Sequence, residues 1–511
     1  MRLWAELGFR ERCGLVLAPL AFLAAGFGLA GSLSYPARWA LAVSVSMAVL
    51  WITEAIPLWL TALLPLLLFP LFGVGSFGQL LLEYFDPVNF LFLGGMWLAA
   101  ALEDWNVHQR LALGMVAKIG VSPRRIVLGF MVTTAFISLW ISNTAAAVML
   151  FPIGMAVLQE FRQQPGASER DTRQLGLALM LGIGYAASMG GIGSKLGTGT
   201  NLVFVKQSAN VLSHEVTFLN WFKVGLPVVL LAIPLSWLYL VRVAAPLSAE
   251  PLPGAREAID ARRAALGRMS RGERLALIGF SLTAFLWTFR QDMDFGVFTV
   301  PGWSALVPES FSELGHGMPE PIKGLLGPRG AEGVVALIIA AVLFVLPAGG
   351  GRRVLSLRAA GGISWGLLVL LGGGFAMASG ITQSGLSQVL TSALGNIDGV
   401  HPLLAMIAIC LFTTAMSEVA SNTATASILL PVLATAAPHL GLSQGTAMFA
   451  ATLAASFGMM LPAGTPPNAV VFSSGYIPVT SMVKAGLVVD VVGSLVIAVT
   501  CYFVVPWALG Y

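Results

Sequence analysis

Eleven predominantly apolar runs follow one another along this chain, near residues 13–33, 38–57, 59–74, 88–104, 177–208, 221–245, 273–290, 332–347, 364–390, 446–474 and 484–507. A run of about 17–25 such residues is long enough to cross a bilayer as a helix. Backbone in hydrocarbon must satisfy its own polar groups, and continuous apolar runs without alternation do so as helices. Only 10% of the 511 residues are charged, against about 25% in soluble domains. The sequence therefore predicts an all-α polytopic membrane protein with about 11 transmembrane helices. The formal net charge of +4 comes from basic loops and implies no nucleic-acid partner. Cys13, Cys410 and Cys501 lie in apolar runs without pairing or ligand spacing. The N-terminal run follows Arg2, Arg10 and Arg12 without a convincing cleavage site, and reads as a retained helix.

Two segments break this pattern in the same way. Phe130 to Pro152 aligns without gaps on Ile409 to Pro431, with 9 of 23 positions identical. Each contains Ser-Asn-Thr: Ser142-Asn143-Thr144 and Ser421-Asn422-Thr423, offset by 279 (421 − 142). Leu93-Gly94-Gly95 and Leu371-Gly372-Gly373 precede them, offset by 278 (371 − 93). GTGTN (Gly197 to Asn201) and GTPPN (Gly464 to Asn468) follow them, offset by 267 (464 − 197). Between Arg125 and Ser142 there are 16 residues, and Ala145 to Gln159 contains 15. Arms this short around a polar triplet read as a hairpin that enters the membrane and returns. Irregular backbone at that depth requires protein or a water-filled cavity around it.

Flanking charge gives the hairpins their sides. Arg124, Arg125, Arg162, Arg170 and Arg173 surround the first, whereas GNIDGVHP and PHLGLSQG surround the second. Basic residues mark the cytoplasmic side, so the first hairpin enters from the cytoplasm and the second from outside. The repeats are then inverted. The N-terminus and the segment from Arg256 to Arg274, with six Arg against three acidic residues, also read as cytoplasmic. The segment 291–331 reads as an outer loop.

Polar groups buried twice at a repeat interface point to a ligand site of a transporter. Hydroxyls, amide oxygens and unwound carbonyls are hard donors suited to Na+. Asn N–H, Thr O–H and helix N-termini donate to anions. Ser138 and Ser417 lie one turn before each triplet and add an oxygen on the same face. Lys195, two residues before Gly197, is a candidate fixed charge beside a bound ion or in its place. Glu54 reads as a helix-end residue, and Glu418 as orienting the second hairpin. The five His (108, 214, 316, 401, 439) lack metal spacing. No nucleophile–base arrangement or nucleotide loop occurs, so an enzyme is not expected.

With these residues the chain resembles the divalent-anion:sodium symporter family, the INDY-type carboxylate transporters. The resemblance is carried by WITEAIPLWLTALLPLLLFP, FLFLGGMWLAAALEDWNVHQRLAL, MSRGERLAL, both triplets, GTGTN and GTPPN. It implies a homodimer, a scaffold and a transport domain in each protomer, 11 transmembrane helices with two re-entrant hairpins, and elevator movement. It implies one Na+ site at Ser138, Ser142, Asn143 and Gly197, and another at Ser417, Ser421, Asn422 and Ala463. It implies carboxylate binding by Asn143, Thr144, Asn422 and Thr423, with Thr198, Thr465 and Pro466 nearby. The first break departs from the family pattern, with Ser194-Lys195-Leu196 before it and Gly199-Thr200 in place of Pro-Pro. Some members of the family are sodium-independent exchangers.

The domain organisation expected on this reading has five parts. Residues 1–125 are mainly scaffold and dimerisation helices. The first hairpin and broken helix occupy 126–209, and connecting helices with their loops 210–402. The second hairpin and broken helix occupy 403–475, and the C-terminal helix 476–511. The expected function is secondary active transport of a small dianion, a C4 dicarboxylate such as succinate or malate, coupled to Na+. The expected location is a bacterial inner (plasma) membrane, in contact with lipid, with the N-terminus cytoplasmic. The alternatives are an exchanger in which Lys195 supplies positive charge, a sulfate or other oxyanion transporter, and an anion channel. Gated occlusion between two tips suits a carrier better than an open pore.

Overall fold

The computed structural model describes all residues except 1–7, 30–32, 121, 164–167, 210–214, 251–259, 262, 295–298, 304–330, 390–399 and 511. Arg2, Arg256, His214, His316 and most of the expected outer loop lie outside the described residues. The chain is helical almost throughout. The strands among the described residues are two short antiparallel pairs, Met293–Asp294 with Thr299–Val300 and Pro347–Gly349 with Arg352–Arg353.

The helices begin where small hydroxyl residues can cap them. Ser34, Ser122, Ser142, Ser168, Thr217, Ser270, Ser421 and Ser443 each accept a backbone N–H from the first turn. Nine described helices are long and apolar enough to cross a membrane. Two shorter apolar helical stretches, Leu58–Leu71 and Ala331–Val345, accompany them. Leu230, Leu404, Phe412, Phe503 and Trp507 face outward, while Thr133, Thr134, Ser138, Ser188, Thr200 and Asn201 are fully buried. An apolar exterior around a polar interior is the arrangement lipid imposes. This is an integral membrane protein.

Both long runs that the sequence placed at 177–208 and 446–474 are interrupted. The first is Glu169–Gly191 followed by Gly199–Ser208, and the second is Gln444–Ala454 followed by Pro466–Phe472. The hairpin arms pack against each other, and the return arm of the first is longer than the sequence spacing predicts. They run Pro123–Ser138 and Asn143–Arg162 in the first half, and Pro402–Val419 and Asn422–Ala436 in the second. The return arm of the first has 20 residues, about 30 Å at 1.5 Å each. Its helix continues past Gln159 to Arg162 before any residue stops it.

The Leu-Gly-Gly doublets serve close helix contacts. A Cβ on Gly94 would stand 2.4 Å from Ala336 Cβ, and one on Gly373 would stand 2.1 Å from the Ala62 carbonyl oxygen. Small residues let helix backbones approach where no hydrophobic effect drives them together. Glu54 caps the end of Tyr35–Thr53 in a left-handed conformation (φ 51°) and is exposed, a structural position.

Candidate functional site

The two tips share one backbone geometry. Ser142 stands at φ −59°, ψ 144° and accepts Ala145 N–H at 3.3 Å; Ser421 stands at φ −61°, ψ 140° and accepts Ala424 N–H at 3.4 Å. Each serine ends one arm and caps the next. Asn143 and Asn422 are thereby fixed as first residues of the return arms. Behind them, Ser138 Oγ donates to the Ala187 carbonyl at 2.6 Å and lies 3.0 Å from Asn143 Oδ1. Ser417 Oγ does the same, 2.5 Å from the Ala455 carbonyl and 2.9 Å from Asn422 Oδ1. The structure therefore brings each tip against the broken helix of its own half.

The breaks are also repeated. Thr198 and Thr465 adopt the same extended conformation, φ −144°, ψ 148° and φ −138°, ψ 146°, before a new helix starts. Asn201 Nδ2 donates to the carbonyls of Gly191 (2.9 Å) and Ser194 (2.7 Å). Asn468 Nδ2 donates to those of Gly458 (2.8 Å) and Leu461 (3.0 Å). Each pair of equivalents is offset by 267 (458 − 191, 461 − 194, 468 − 201). These asparagines hold the unwound segments in shape. Their buried Oδ1 atoms, with Thr465 Oγ1 and Ser456 Oγ, have no hydrogen-bond partner among the described residues.

In the first half the oxygens converge tightly. A Cβ on Gly197 would lie 2.4 Å from the Gly191 carbonyl oxygen and 2.7 Å from that of Ser138, so only glycine fits. The Asn143 amide faces Ser138 Oγ at 3.0 Å and the carbonyls of Gly197 and Ala187 at 3.2 and 3.3 Å. With its nitrogen inward, Asn143 donates to all three. With its oxygen inward, it joins the Ser138 hydroxyl and the two carbonyls as a group of hard oxygens. In the second half, Gly458 packs on the Ser417 carbonyl and Thr465. Ala463 lies in the adjoining turn and is exposed. Gly464 is buried beside the Glu418 carboxylate and the Gly458 carbonyl, and at offset 267 it is the equivalent of Gly197.

The halves meet across the molecule. A Cβ on Gly199 would touch Thr423 Oγ1 at 3.3 Å, so the first break abuts the second tip. Conversely, Asn143–Arg162 packs on Pro466–Phe472 beyond the second break. Thr423 is buried, Thr144, Thr198 and Asn422 are half-buried, and Pro466 is exposed. A cavity of about 440 Å³ leads to this region and is lined by Ser142, Trp140, Leu196, Gly95, Glu103 and Arg358, among others.

Two acidic or basic residues singled out in the sequence have definite partners. Glu418 accepts the N–H groups of Met460 (2.7 Å) and Leu461 (3.0 Å), fixing the second tip to its break. Lys195 is 1% exposed and pairs with Glu332 at 2.7 Å, with Glu215 at 3.9 Å. Its charge is neutralised there. Sequence reasoning missed Ser194, Asp490, Glu215, Arg290 and Glu332. Ser194 and Asp490 carried a weak signal as polar residues in apolar runs; the other three had none.

Comparison with known proteins bears on this geometry directly. Residues 15–508 match the family described as the sodium:sulfate symporter transmembrane region. The chain belongs to that family. It is a membrane transporter and not an enzyme. Among the symporter's curated relatives is the sodium-dependent dicarboxylate transporter SdcS of Staphylococcus aureus (strain MW2). It is 37% identical over 503 residues, covering 97% of this chain and 92% of the relative. The form from strain NCTC 8325 is equally similar. Among solved structures, MtrF of Neisseria gonorrhoeae superposes with a TM-score of 0.55 at 14% identity, covering 98% of this chain and 96% of that one. The YdaH transporter of Alcanivorax borkumensis gives 0.50 at 17% identity, covering 83% and 87%. At such identities these two speak for the fold alone.

Proposed function

We propose that this symporter carries small dianions, C4 dicarboxylates such as succinate or malate, into a bacterial cell together with Na+. The observation that carries the reading is the doubled nest: Ser138, Asn143 and Gly197 with the Ala187 and Gly191 carbonyls, and Ser417 and Asn422 with the Ala455 carbonyl. Hard neutral oxygens around a shared point suit Na+ in hydrocarbon. The N-termini of Asn143–Arg162, Gly199–Ser208 and Asn422–Ala436 face the same region and favour negative charge. Asn143, Thr144, Asn422 and Thr423 hold the two carboxylates, with Thr198, Thr465 and Pro466 bordering them. Ser142 and Ser421 complete the nests by placing the asparagines, and Gly464 takes the place expected for Ala463. The name of the Staphylococcus relative, a sodium-dependent dicarboxylate transporter, supports both substrate class and ion.

In the same reading the two hairpins are re-entrant, one from each side, and the repeats are inverted. The hairpins and broken helices move as one body in an elevator step against the N-terminal and connecting helices. A homodimer forms through the scaffold, and the N-terminus is cytoplasmic. Support comes from the basic residues around the first hairpin and from the resemblance in sequence.

Uptake of labelled succinate into proteoliposomes tests this. An inward Na+ gradient is expected to accelerate uptake, malate to compete and sulfate not to compete. Uptake indifferent to Na+ and to internal dicarboxylate overturns the proposal. Competition by sulfate alone moves the substrate to inorganic oxyanions, the second reading, named in the family's description.

A further inference from the structure

Among the described residues, four charged residues distant in sequence form a buried ring. Lys195 pairs with Glu332 (2.7 Å), and Arg290 pairs with Glu215 (2.8 Å) and Glu332 (3.4 Å). Lys195 closes the ring to Glu215 at 3.9 Å. Lys195, Arg290 and Glu332 are at most 2% exposed. Lys195 Nζ also stands 5.5 Å over the Phe218 ring, which stacks on Trp287, and Trp287 Nε1 donates to the Glu332 carbonyl. Eleven residues on, Lys206 bridges in the same sense to Asp86 and to Glu83 (3.1 Å).

The members come from two bodies. Lys195 and Lys206 belong to the broken helix of the first half, which is tied to the first hairpin through Ser138–Ala187 and Ser194–Leu139. Glu215 precedes Phe218–Tyr239, which packs on Glu169–Gly191 and Pro123–Ser138 and so goes with the same body. Asp86 caps Pro87–Asp104, Arg290 follows Arg271–Thr288 and Glu332 begins Ala331–Val345, and these three helices pack on one another; Glu83 lies in Phe77–Tyr84, just before Asp86.

The cluster also has a definite end of the molecule. Asp104 at the end of Pro87–Asp104 contacts Arg352 and Ser356, and Glu273 at the start of Arg271–Thr288 pairs with Arg110. With Glu103 and Arg358 they form the end where the 440 Å³ cavity opens. Asp86, Arg290 and Glu332 stand at the opposite helix ends. Leu196 lines the inner part of the cavity, and its neighbour Lys195 begins the ring. The site is thus approached from one end and barred at the other.

We propose that the Lys195–Glu332–Arg290–Glu215 ring and the Lys206–Asp86 bridge are the lock that closes one side of the transport route, and that both part when the hairpin-bearing body moves. This rests on the alternating-access reading above. Buried charges separated one at a time leave an uncompensated ion in low dielectric. The ring therefore opens as a unit, with water entering, and the cavity at the opposite end closes as it does.

The test uses full-length protein with Cys13, Cys410 and Cys501 replaced by Ser. Ala99→Cys, on the cavity wall, reports access to an impermeant maleimide. Adding Glu332→Gln is expected to slow its labelling about threefold or more as the population leaves the locked state. The Glu332→Gln protein is expected to keep its thermal stabilisation by succinate with Na+, which excludes simple misfolding. Separately, Lys206→Cys with Asp86→Cys is joined by a short thiol cross-linker. Succinate uptake is expected to fall at least about tenfold and to recover when a cleavable linker is cut, while thermal stabilisation by succinate with Na+ persists. Labelling unchanged by Glu332→Gln, or uptake unchanged by the cross-link, overturns the lock. Absent uptake before cross-linking instead overturns the proposed function and leaves the labelling result readable.

Discussion

Both breaks are braced by an asparagine, yet the fastening between break and tip differs in the two halves. In the first, Ser194 Oγ donates to the Leu139 carbonyl at the tip and accepts the N–H groups of Leu196 (3.2 Å) and Gly197 (3.1 Å). In the second, the position equivalent to Ser194 is Leu461, which has no side-chain polar group. There the tip supplies the fastening: Glu418, equivalent to Leu139, accepts the amides of Met460 and Leu461. Asp490 adds a weaker contact to the Met459 N–H at 3.3 Å. What both halves keep is closure of the break onto the tip. Which partner supplies the polar group has been exchanged, and with it the charge: the second nest has a carboxylate beside it and the first has a neutral hydroxyl.

The largest effect is expected where the halves differ in space. Gly197→Ala drives a methyl against two carbonyl oxygens at 2.4 and 2.7 Å, whereas Gly464→Ala meets Glu418 Oε2 and Gly458 O at 3.0 and 3.1 Å. Uptake is expected to fall about 100-fold or more for Gly197→Ala and about tenfold for Gly464→Ala, following the strain each imposes. Equal losses, measured as initial rates in proteoliposomes, would remove the spatial difference between the nests.

A second comparison concerns charge. Glu418→Gln leaves one acceptor for two amides and sets an NH2 group against a donor, a loss of about 1–3 kcal/mol. The Na+ concentration for half-maximal uptake is expected to rise about tenfold on that scale, and about threefold for Ser194→Ala, whose bonds are neutral. The reverse order would show that the carboxylate does not favour the second nest.

The smallest effect lies in the helix Val107–Ile119, which precedes the first hairpin. Burial lowers the pKa of His108 to about 4. The unfolded chain takes up that proton near 6.5, so the contribution to stability is complete above pH 6.5 and declines as pH falls toward 4. The wild-type melting temperature is expected to drop by a few degrees between pH 7 and pH 5. His108→Gln is expected to flatten that slope, and a slope that survives the substitution would assign it elsewhere.

The triplets, Gly197 and Asn201 were legible because they repeat. A polar residue that recurs at the same place in two apolar runs must offset its burial in the same way twice, and a shared ligand does that. Ser138 and Ser417 followed from helical spacing alone. The return arm of the first hairpin was misjudged in length because Gln159 and Glu160 look like a helix end, yet the helix runs on to Arg162. Gly464, the equivalent of Gly197 at offset 267, drew no notice because glycine carries no donor. The ring was invisible for another reason. Glu215, Arg290 and Glu332 are far apart in sequence, and each alone reads as a loop or helix-end charge.

Asn143 has a consequence for the return journey. A carrier that releases its cargo must come back with nothing in the nest, and bare carbonyls facing one another in a membrane would resist that step. If the nest holds Na+ as proposed, one amide rotation would answer the difficulty. The oxygen would face the cation on the loaded leg, whereas the nitrogen turned inward donates to Ser138 Oγ and to the Ala187 and Gly197 carbonyls. A side chain with donor and acceptor at equal reach would thus let the same few atoms be complete in both directions of the cycle.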